Sequence, residues 1–204
     1  MQSSSFLTIS DLWIERGERD LCKSLSFDVQ SGDVLRILGE NGTGKSSLLK
    51  VVAGILSPLE GDIFYKGQEV TEKRQILQEN TLYLGHSAGV KKALTVEENL
   101  RWYCPTSSSN ELHSALNTLG LLAFSDSFVS TLSAGQTKRV ALSRLWLSKQ
   151  KLWLLDEPFA SLDTEGASIL EKRIAQHTAL GGAVMLTTHQ DLLSLQSRDI
   201  CLPI

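Results

Sequence analysis

Long apolar runs are missing from this sequence of 204 residues. Runs such as Trp153–Leu155 are far too short to span a bilayer, because a helix needs about 20 apolar residues to cross the hydrocarbon core. Met1–Phe6 also lacks the basic stretch and apolar core of a secretory leader. We therefore expect a chain that stays in the cytoplasm and reaches a membrane only if a partner holds it there.

A strong charge of one sign and a cysteine pattern are missing as well. The formal net charge of -3 argues against broad electrostatic binding to nucleic acid. Cys22, Cys104 and Cys201 form neither a C-x-x-C pair nor a zinc pattern, which suits a reducing compartment. With 42% hydrophobic and 21% charged residues, the composition is that of an ordinary globular protein. We expect one domain over residues 1–204.

The first third of the chain predicts a largely antiparallel β region followed by a strand, a loop and a helix. Leu7–Ile9, Leu25–Val29 and Ile63–Tyr65 combine alternation with β-branched or aromatic residues, as strands do. Val34–Leu38 predicts a strand that runs into a glycine-rich loop, and Ser47–Ala53 has a helical composition.

The rest of the chain alternates helical and strand patterns. Polar residues around 105–110 lie between two helical candidates, and we expect a small helical subdomain at about residues 86–150. Short apolar runs predict buried parallel strands with helices on both faces, hence an α/β fold. The predicted helices are 96–103, 111–119, 134–148 and 164–179, and the predicted strands are 152–155 and 183–186.

The most specific motif is a phosphate-binding loop between a predicted strand and a predicted helix. It matches G-x-x-x-x-G-K-[ST] with Gly39, Glu40, Asn41, Gly42, Thr43, Gly44, Lys45 and Ser46. Backbone N–H groups and a helix N-terminus converge on phosphate oxygens in such a loop. Lys45 reaches the β- and γ-phosphates, and the Ser46 hydroxyl is placed to bind Mg²⁺. We expect ATP and Mg²⁺ as ligands, with Ser47 also at the nucleotide.

Two adjacent carboxylates follow an apolar strand. Asp156 and Glu157 end the run that begins at Leu152, and ligands of such folds lie at the carboxyl ends of parallel strands. Adjacent acids alone are more often a solvated strand end. Behind a phosphate loop, we expect Asp156 to hold Mg²⁺ directly or through water, and Glu157 to orient and deprotonate the attacking water.

A second helix N-terminus is also suited to an anion. Ser133 precedes Ala134, Gly135 and Gln136 at the start of a long predicted helix, and serine is a favoured N-cap. Taken alone, this segment is more often a simple cap. In a chain with a phosphate loop, we expect a second phosphate contact here.

These motifs resemble those of ABC-transporter nucleotide-binding domains, in the same order and over nearly the whole chain. The resemblance implies a P-loop NTPase fold with an antiparallel β subdomain, a parallel core sheet and a small helical subdomain. It implies a head-to-tail homodimer in which ATP on one phosphate loop is covered by Ser133, Ala134 and Gly135 of the other copy. Asp163 then lies at the dimer interface, and His189 contacts the γ-phosphate and steadies the attacking water.

Two residues depart from the family pattern. His86 stands where these domains usually have a glutamine that links the Mg²⁺ site to the membrane subunit, and imidazole is a poorer ligand than an amide oxygen for hard Mg²⁺. We expect His86 to hydrogen-bond the water or to contact the membrane partner, without the full role of the glutamine. Arg16 stands where an aromatic residue normally stacks on adenine. A guanidinium group can stack in its place.

Within the family, the chain resembles the ATP-binding subunits of cytochrome c maturation transporters. The likeness implies a place on the cytoplasmic face of the bacterial inner membrane, an integral membrane partner, and coupling of ATP hydrolysis to haem export or to release of a haem-loaded chaperone. Direct haem binding is not expected, since there is no C-x-x-C-H and Cys104-Pro105 reads as a helix end. The resembling stretches are residues 83–86 with 94–100, 132–136, 139–147 and 152–159.

Two alternatives stay open. The chain could serve a transporter of another substrate, because an ATPase subunit makes little contact with the cargo. It could also be a soluble ABC ATPase of DNA repair, translation or iron–sulfur assembly. The absence of a second nucleotide-binding copy, a coiled-coil insertion or a basic face counts against the first two of these.

Overall fold

The computed structural model describes residues 5–17, 19–87, 89–192 and 194–202. Most of the stretch considered above for a leader, Met1–Ser4, lies outside these ranges. Two compact units are present, the first made of residues up to 86, 150–158 and 174 onward, and the second of 87–149 and 159–173. The boundary of the helical subdomain at about 86–150 stays a prediction. Within the described ranges, no helix combines the length and apolar character needed to cross a bilayer.

Three strands come first, and helices and strands follow in mixed order. In chain order they are β1 (Leu7–Arg16), β2 (Arg19–Val29), β3 (Val34–Leu38), α1 (Lys45–Val52), β4 (Glu60–Tyr65), β5 (Gln68–Glu69), α2 (Arg74–Asn80), β6 (Thr81–Leu84), α3 (Val96–Tyr103), α4 (Ser109–Thr118), α5 (Ala134–Leu147), β7 (Leu152–Asp156), α6 (Thr164–Ala179), β8 (Ala183–Thr187) and β9 (Arg198–Cys201).

The first unit contains two sheets that share one core. An antiparallel sheet has the strand order β2-β1-β4-β5, and a parallel sheet has the order β6-β7-β8-β3-β9. Leu7 and Ile9 of β1, Ile37 of β3, and Leu48 and Leu49 of α1 belong to the same buried cluster. The predicted α/β class, with an antiparallel β region and a parallel core sheet, is therefore confirmed.

The parallel sheet brings three chain segments to one edge. β8 lies between β7 and β3, and β7 and β8 are buried along their whole length. Since parallel strands end on the same side, the segments after β3, β7 and β8 leave the sheet together. We call this edge the sheet-end site; it consists of residues 39–46, 156–157 and 187–189.

The second unit packs three helices around its own apolar cluster. Val96 and Leu100 of α3, Leu112 and Leu116 of α4, and Val140 of α5 are buried together. Each helix begins with a capping box, in which a serine or threonine and a residue three positions later exchange hydrogen bonds. The boxes pair Thr95 with Glu98, Ser108 with Glu111, and Ser133 with Gln136.

Several predicted bounds were wrong, and four elements were missed. α1 begins at Lys45 rather than Ser47, because the helix starts inside the phosphate-loop motif. β1 and β2 are longer than predicted, since charged residues and register shifts interrupt the apolar alternation in their outer halves. The elements α2, β5, β6 and β9 were not predicted; β5, β6 and β9 are strands of two to four residues, too short for a clear period.

Candidate active site

The phosphate loop turns sharply from β3 into α1, and glycine is required at both its ends. Gly39 has a φ of +152°, and a Cβ added there would come within 2.6 Å of Thr43 Oγ1. Gly44 has a φ of +103°, and its Cβ would lie 2.8 Å from Leu21 Cβ. Positive φ and lack of space both exclude a side chain at these positions. The tight turn from β3 into α1 therefore depends on glycine at both positions.

Lys45 folds back over the loop. Its Nζ donates to the carbonyl oxygens of Gly39 at 2.6 Å and Glu40 at 2.8 Å. The positive charge is thus held above the loop, where the phosphates of a nucleotide are expected. Ser46 is half-buried, and its neighbour Ser47 is buried. The remaining loop residues, Asn41, Gly42 and Thr43, lie between these anchors.

The two acids lie at the end of β7 and differ in exposure. Asp156, the last residue of the strand, is 3% exposed, whereas the Glu157 side chain is 20% exposed. Glu157 has a φ of +49°, a left-handed conformation that costs a non-glycine residue roughly 1–2 kcal/mol. The bend at Glu157 turns the chain out of the strand immediately after Asp156.

His189 lies beside Glu157. Its Nε2 is 3.5 Å from Glu157 Oε1, and its side chain is 60% exposed. The structure therefore brings together two of the residues predicted to act on the attacking water. Their roles in hydrolysis stay predictions.

Thr187 of this site and Tyr83 of the adjacent strand β6 were not predicted to act here. Thr187 accepts a hydrogen bond from the Glu157 N–H and donates one to Asp156 Oδ1. Burial, followed by the charge of Asp156, raises the pKa of Tyr83 to about 12, so this half-buried phenol stays neutral. A hydroxyl residue at the end of the strand before His189 was the available signal for Thr187. Nothing local in the sequence indicated Tyr83.

The oxygen ligands at the sheet-end site suit Mg²⁺. Ser46 offers a hydroxyl and Asp156 a carboxylate whose orientation Thr187 restricts, and Mg²⁺ prefers hard oxygen ligands. No group of three or more His, Cys, Asp or Glu residues that could hold a metal occurs among the described residues. Such a cluster is not required, since Mg²⁺ usually takes one or two protein ligands together with substrate phosphates and water.

The start of α5 forms a helix N-terminus of the kind predicted. The Ser133 hydroxyl accepts from the Gln136 N–H at 3.2 Å, and Gln136 Oε1 accepts from the Ser133 N–H at 2.9 Å. The first N–H groups of a helix, here on Ala134 and Gly135, have no partner inside it. Ser133 keeps its hydroxyl proton for a further acceptor, whereas the Gln136 side-chain oxygen is already used by the cap.

Asp163 is tied to α5 by an ion pair that the sequence did not reveal. Arg139 Nη2 donates to both Asp163 oxygens, at 2.6 and 2.8 Å, and the Gly166 N–H donates to Oδ1 at 2.9 Å. The bond from Gly166 and then that from Arg139 hold the pKa of Asp163 below its ordinary value. We call Ser133–Gln136, Arg139 and Asp163 the α5–α6 corner.

The two residues that depart from the family pattern are both exposed. Arg16 ends β1, opposite Arg19 of β2. His86 lies two residues beyond the end of β6. Their proposed contacts with adenine and with the Mg²⁺ site or a membrane partner stay predictions.

Comparison with known proteins defines the class of this chain. The model of the ABC transporter family matches residues 22–160. A solved ATP-binding subunit of an ABC transporter has a TM-score of 0.81 and 26% identity, covering 91% of this chain and 80% of that one. A putative ABC transporter ATP-binding protein from Pyrococcus furiosus has a TM-score of 0.82 and 25% identity, covering 96% of both chains. The chain therefore belongs to the ABC transporter family.

Its curated relatives carry a more particular name. The Cytochrome c biogenesis ATP-binding export protein CcmA of Vibrio parahaemolyticus is 46% identical, over 92% of this chain and 94% of that protein. The CcmA of Tatumella citrea is 42% identical, over 96% and 99%, respectively. The CcmA of Haemophilus influenzae is 44% identical, over 92% and 91%. The predicted likeness to cytochrome c maturation subunits is confirmed.

Proposed function

We propose that this chain is the ATP-hydrolysing subunit of an ABC transporter in cytochrome c biogenesis, coupling hydrolysis to haem export or to release of a haem-loaded chaperone. The observation that carries the proposal is the sheet-end site. A phosphate loop after β3 and a pair of acids after β7 leave the same edge of one parallel sheet. The export proteins named above match this chain over more than nine-tenths of its length, which supports the biological role.

The phosphate loop binds the nucleotide in this proposal. Backbone N–H groups between Gly39 and Ser46 and the N-terminus of α1 hold the phosphates. Lys45 exchanges its bonds with the Gly39 and Glu40 carbonyls for bonds to the β- and γ-phosphates. Arg16 stacks on the adenine in place of the usual aromatic ring.

Glu157 is the catalytic base. Its carboxylate, at the end of a strained turn, orients the attacking water in line with the γ-phosphate and accepts its proton. His189, 3.5 Å from that carboxylate, contacts the γ-phosphate and the same water. Ser46 and Asp156 would hold Mg²⁺, which neutralises charge on the β- and γ-phosphates when bound.

A second copy completes the site. The exposed start of α5, with Ser133, Ala134 and Gly135, closes over the γ-phosphate of the nucleotide on the partner's loop. Asp163 lies at the same interface. ATP therefore favours a closed homodimer, and hydrolysis reopens it. Reopening moves an integral membrane subunit, to which the dimer is bound at the cytoplasmic face of the bacterial inner membrane. His86 faces that membrane subunit.

The test is cytochrome c maturation in cells that carry only the Glu157→Gln form. We expect loss of covalent-haem staining of c-type cytochromes while b-type haem remains. Glu60→Gln, which changes an exposed glutamate on β4 in the same way, is the matched control and should mature c-type cytochromes normally. Normal staining with an inactive Glu157→Gln protein would assign the ATPase to another cargo.

A further inference from the structure

Thr187 contacts both acids through one buried hydroxyl. It ends β8 directly opposite Asp156, which ends β7, and it is fully buried. Its Oγ1 lies 2.8 Å from the Glu157 nitrogen and 2.9 Å from Asp156 Oδ1. The backbone N–H can only donate, so the hydroxyl proton goes to the Asp156 carboxylate. One side chain thus fixes both neighbouring acids.

Each bond has a different effect. A carboxylate with one oxygen held cannot rotate freely, so the other oxygen of Asp156 keeps one direction. The pairing of β7 with β8 ends at Asp156 and Thr187. The N–H of the next residue, Glu157, donates to the Thr187 side chain rather than to a backbone carbonyl. This bond helps to hold Glu157 in its left-handed conformation at φ +49°, which persists only where the surroundings support it.

We propose that Thr187 is a positioning residue for ATP hydrolysis, fixing the Asp156 carboxylate for Mg²⁺ and the Glu157 backbone for the attack of water. The inference rests on the proposed ATPase function. Because catalytic rate is sensitive to displacements of about 1 Å, loss of the hydroxyl acts on turnover more than on nucleotide binding.

The experiment compares valine and serine at position 187. Thr187→Val keeps the shape and removes the hydroxyl, whereas Thr187→Ser keeps both hydrogen bonds. We expect kcat to fall about ten- to a hundred-fold in Thr187→Val, with KM and ATP affinity in EDTA near wild type. Thr187→Ser should restore kcat to within about three-fold of wild type. If valine prevents folding, Thr187→Ala tests the same loss.

Thr81→Val is the matched structural control. Thr81 is also buried and donates its hydroxyl to Leu77 O, but it starts β6, at the opposite end of the parallel sheet. It should lose a comparable hydrogen bond without a fall in kcat. An equal fall in kcat for Thr81→Val and Thr187→Val would overturn the proposal, as would wild-type kcat in Thr187→Val or a Thr187→Ser variant as slow as Thr187→Val.

Amide hydrogen exchange gives a readout that needs neither Mg²⁺ nor turnover. In nucleotide-free protein, the Glu157 N–H should exchange roughly five- to ten-fold faster in Thr187→Val than in wild type, and at the wild-type rate in Thr187→Ser. Unchanged exchange in Thr187→Val contradicts the inferred contact. A wild-type protein without ATPase activity would refute the proposed function. The exchange rates would still show whether Thr187 holds the Glu157 N–H.

Discussion

The sheet-end site and the α5–α6 corner hold their polar groups in opposite ways. At the sheet-end site, Asp156 and Thr187 are buried and fixed by strand register and hydrogen bonds. At the α5–α6 corner, Asp163 has a side chain that is 62% exposed and is held by an ion pair and a helix cap. The buried side chains are therefore held in place without a ligand, as the proposed chemistry requires. The exposed corner is the surface that we propose meets a second copy.

The largest effect should come from removing the base of the buried site. Glu157→Gln keeps the size and one acceptor oxygen but cannot take up the proton of water, so hydrolysis should fall about 10²- to 10⁴-fold. ATP binding should persist, and a closed dimer should accumulate, as seen by light scattering with ATP. Unchanged steady-state hydrolysis would show that Glu157 is not the base. It would also contradict the assignment of the chemistry to the sheet-end site rather than to the α5–α6 corner.

Lys45→Ala should break nucleotide binding rather than chemistry. The variant loses charge-assisted bonds to the phosphates, and ATP affinity should fall about ten- to a hundred-fold. Lys50→Ala, on the last turn of the same helix, is the control and should bind normally. Titration with a fluorescent ATP analogue measures both. Equal affinities for the two variants would contradict the role given to Lys45.

The motifs of both regions were predicted from the sequence, but the long-range contacts that fix their side chains were not. The phosphate loop, the adjacent acids and the Ser133 cap each lie within a few consecutive residues, so local spacing was sufficient to find them. Thr187 meets Asp156 across 31 positions, and Arg139 meets Asp163 across 24. Those contacts depend on strand register and helix packing, which periodicity alone does not supply. The short strands β6 and β9 were missed for a related reason, since their neighbours define them.

Ser133→Ala should separate helix capping from phosphate binding. Ser108→Ala removes the same kind of cap from α4, so each variant should lose about 1 kcal/mol of unfolding free energy. Denaturant titration measures this loss. Only Ser133→Ala should also reduce ATP-dependent dimerisation and hydrolysis. Equal hydrolysis by the two variants would show that Ser133 only caps α5, and would contradict its proposed role in phosphate binding.

The smallest effect concerns the pH dependence of the α5–α6 corner. Because the folded-state pKa of Asp163 is lowered from 3.8, its ionised form stabilises the fold above that value, and this contribution is lost as pH falls through the lower folded-state pKa. Asp163→Asn keeps a good N-cap but loses the ion pair with Arg139. Its melting temperature should lie slightly below wild type at pH 7, and the gap should close in acid. A gap that widens in acid would contradict this.

Mixed dimers test most directly the claim that the buried site of one copy works with the exposed corner of another. Ser133→Asp keeps an N-cap but places a negative charge where the γ-phosphate is expected. A dimer of one Glu157→Gln chain and one Ser133→Asp chain should retain one intact site and hydrolyse ATP. A dimer of wild type with a chain carrying both changes should have none and be inactive. The reverse pattern would show that each copy builds its site alone, and would contradict the account.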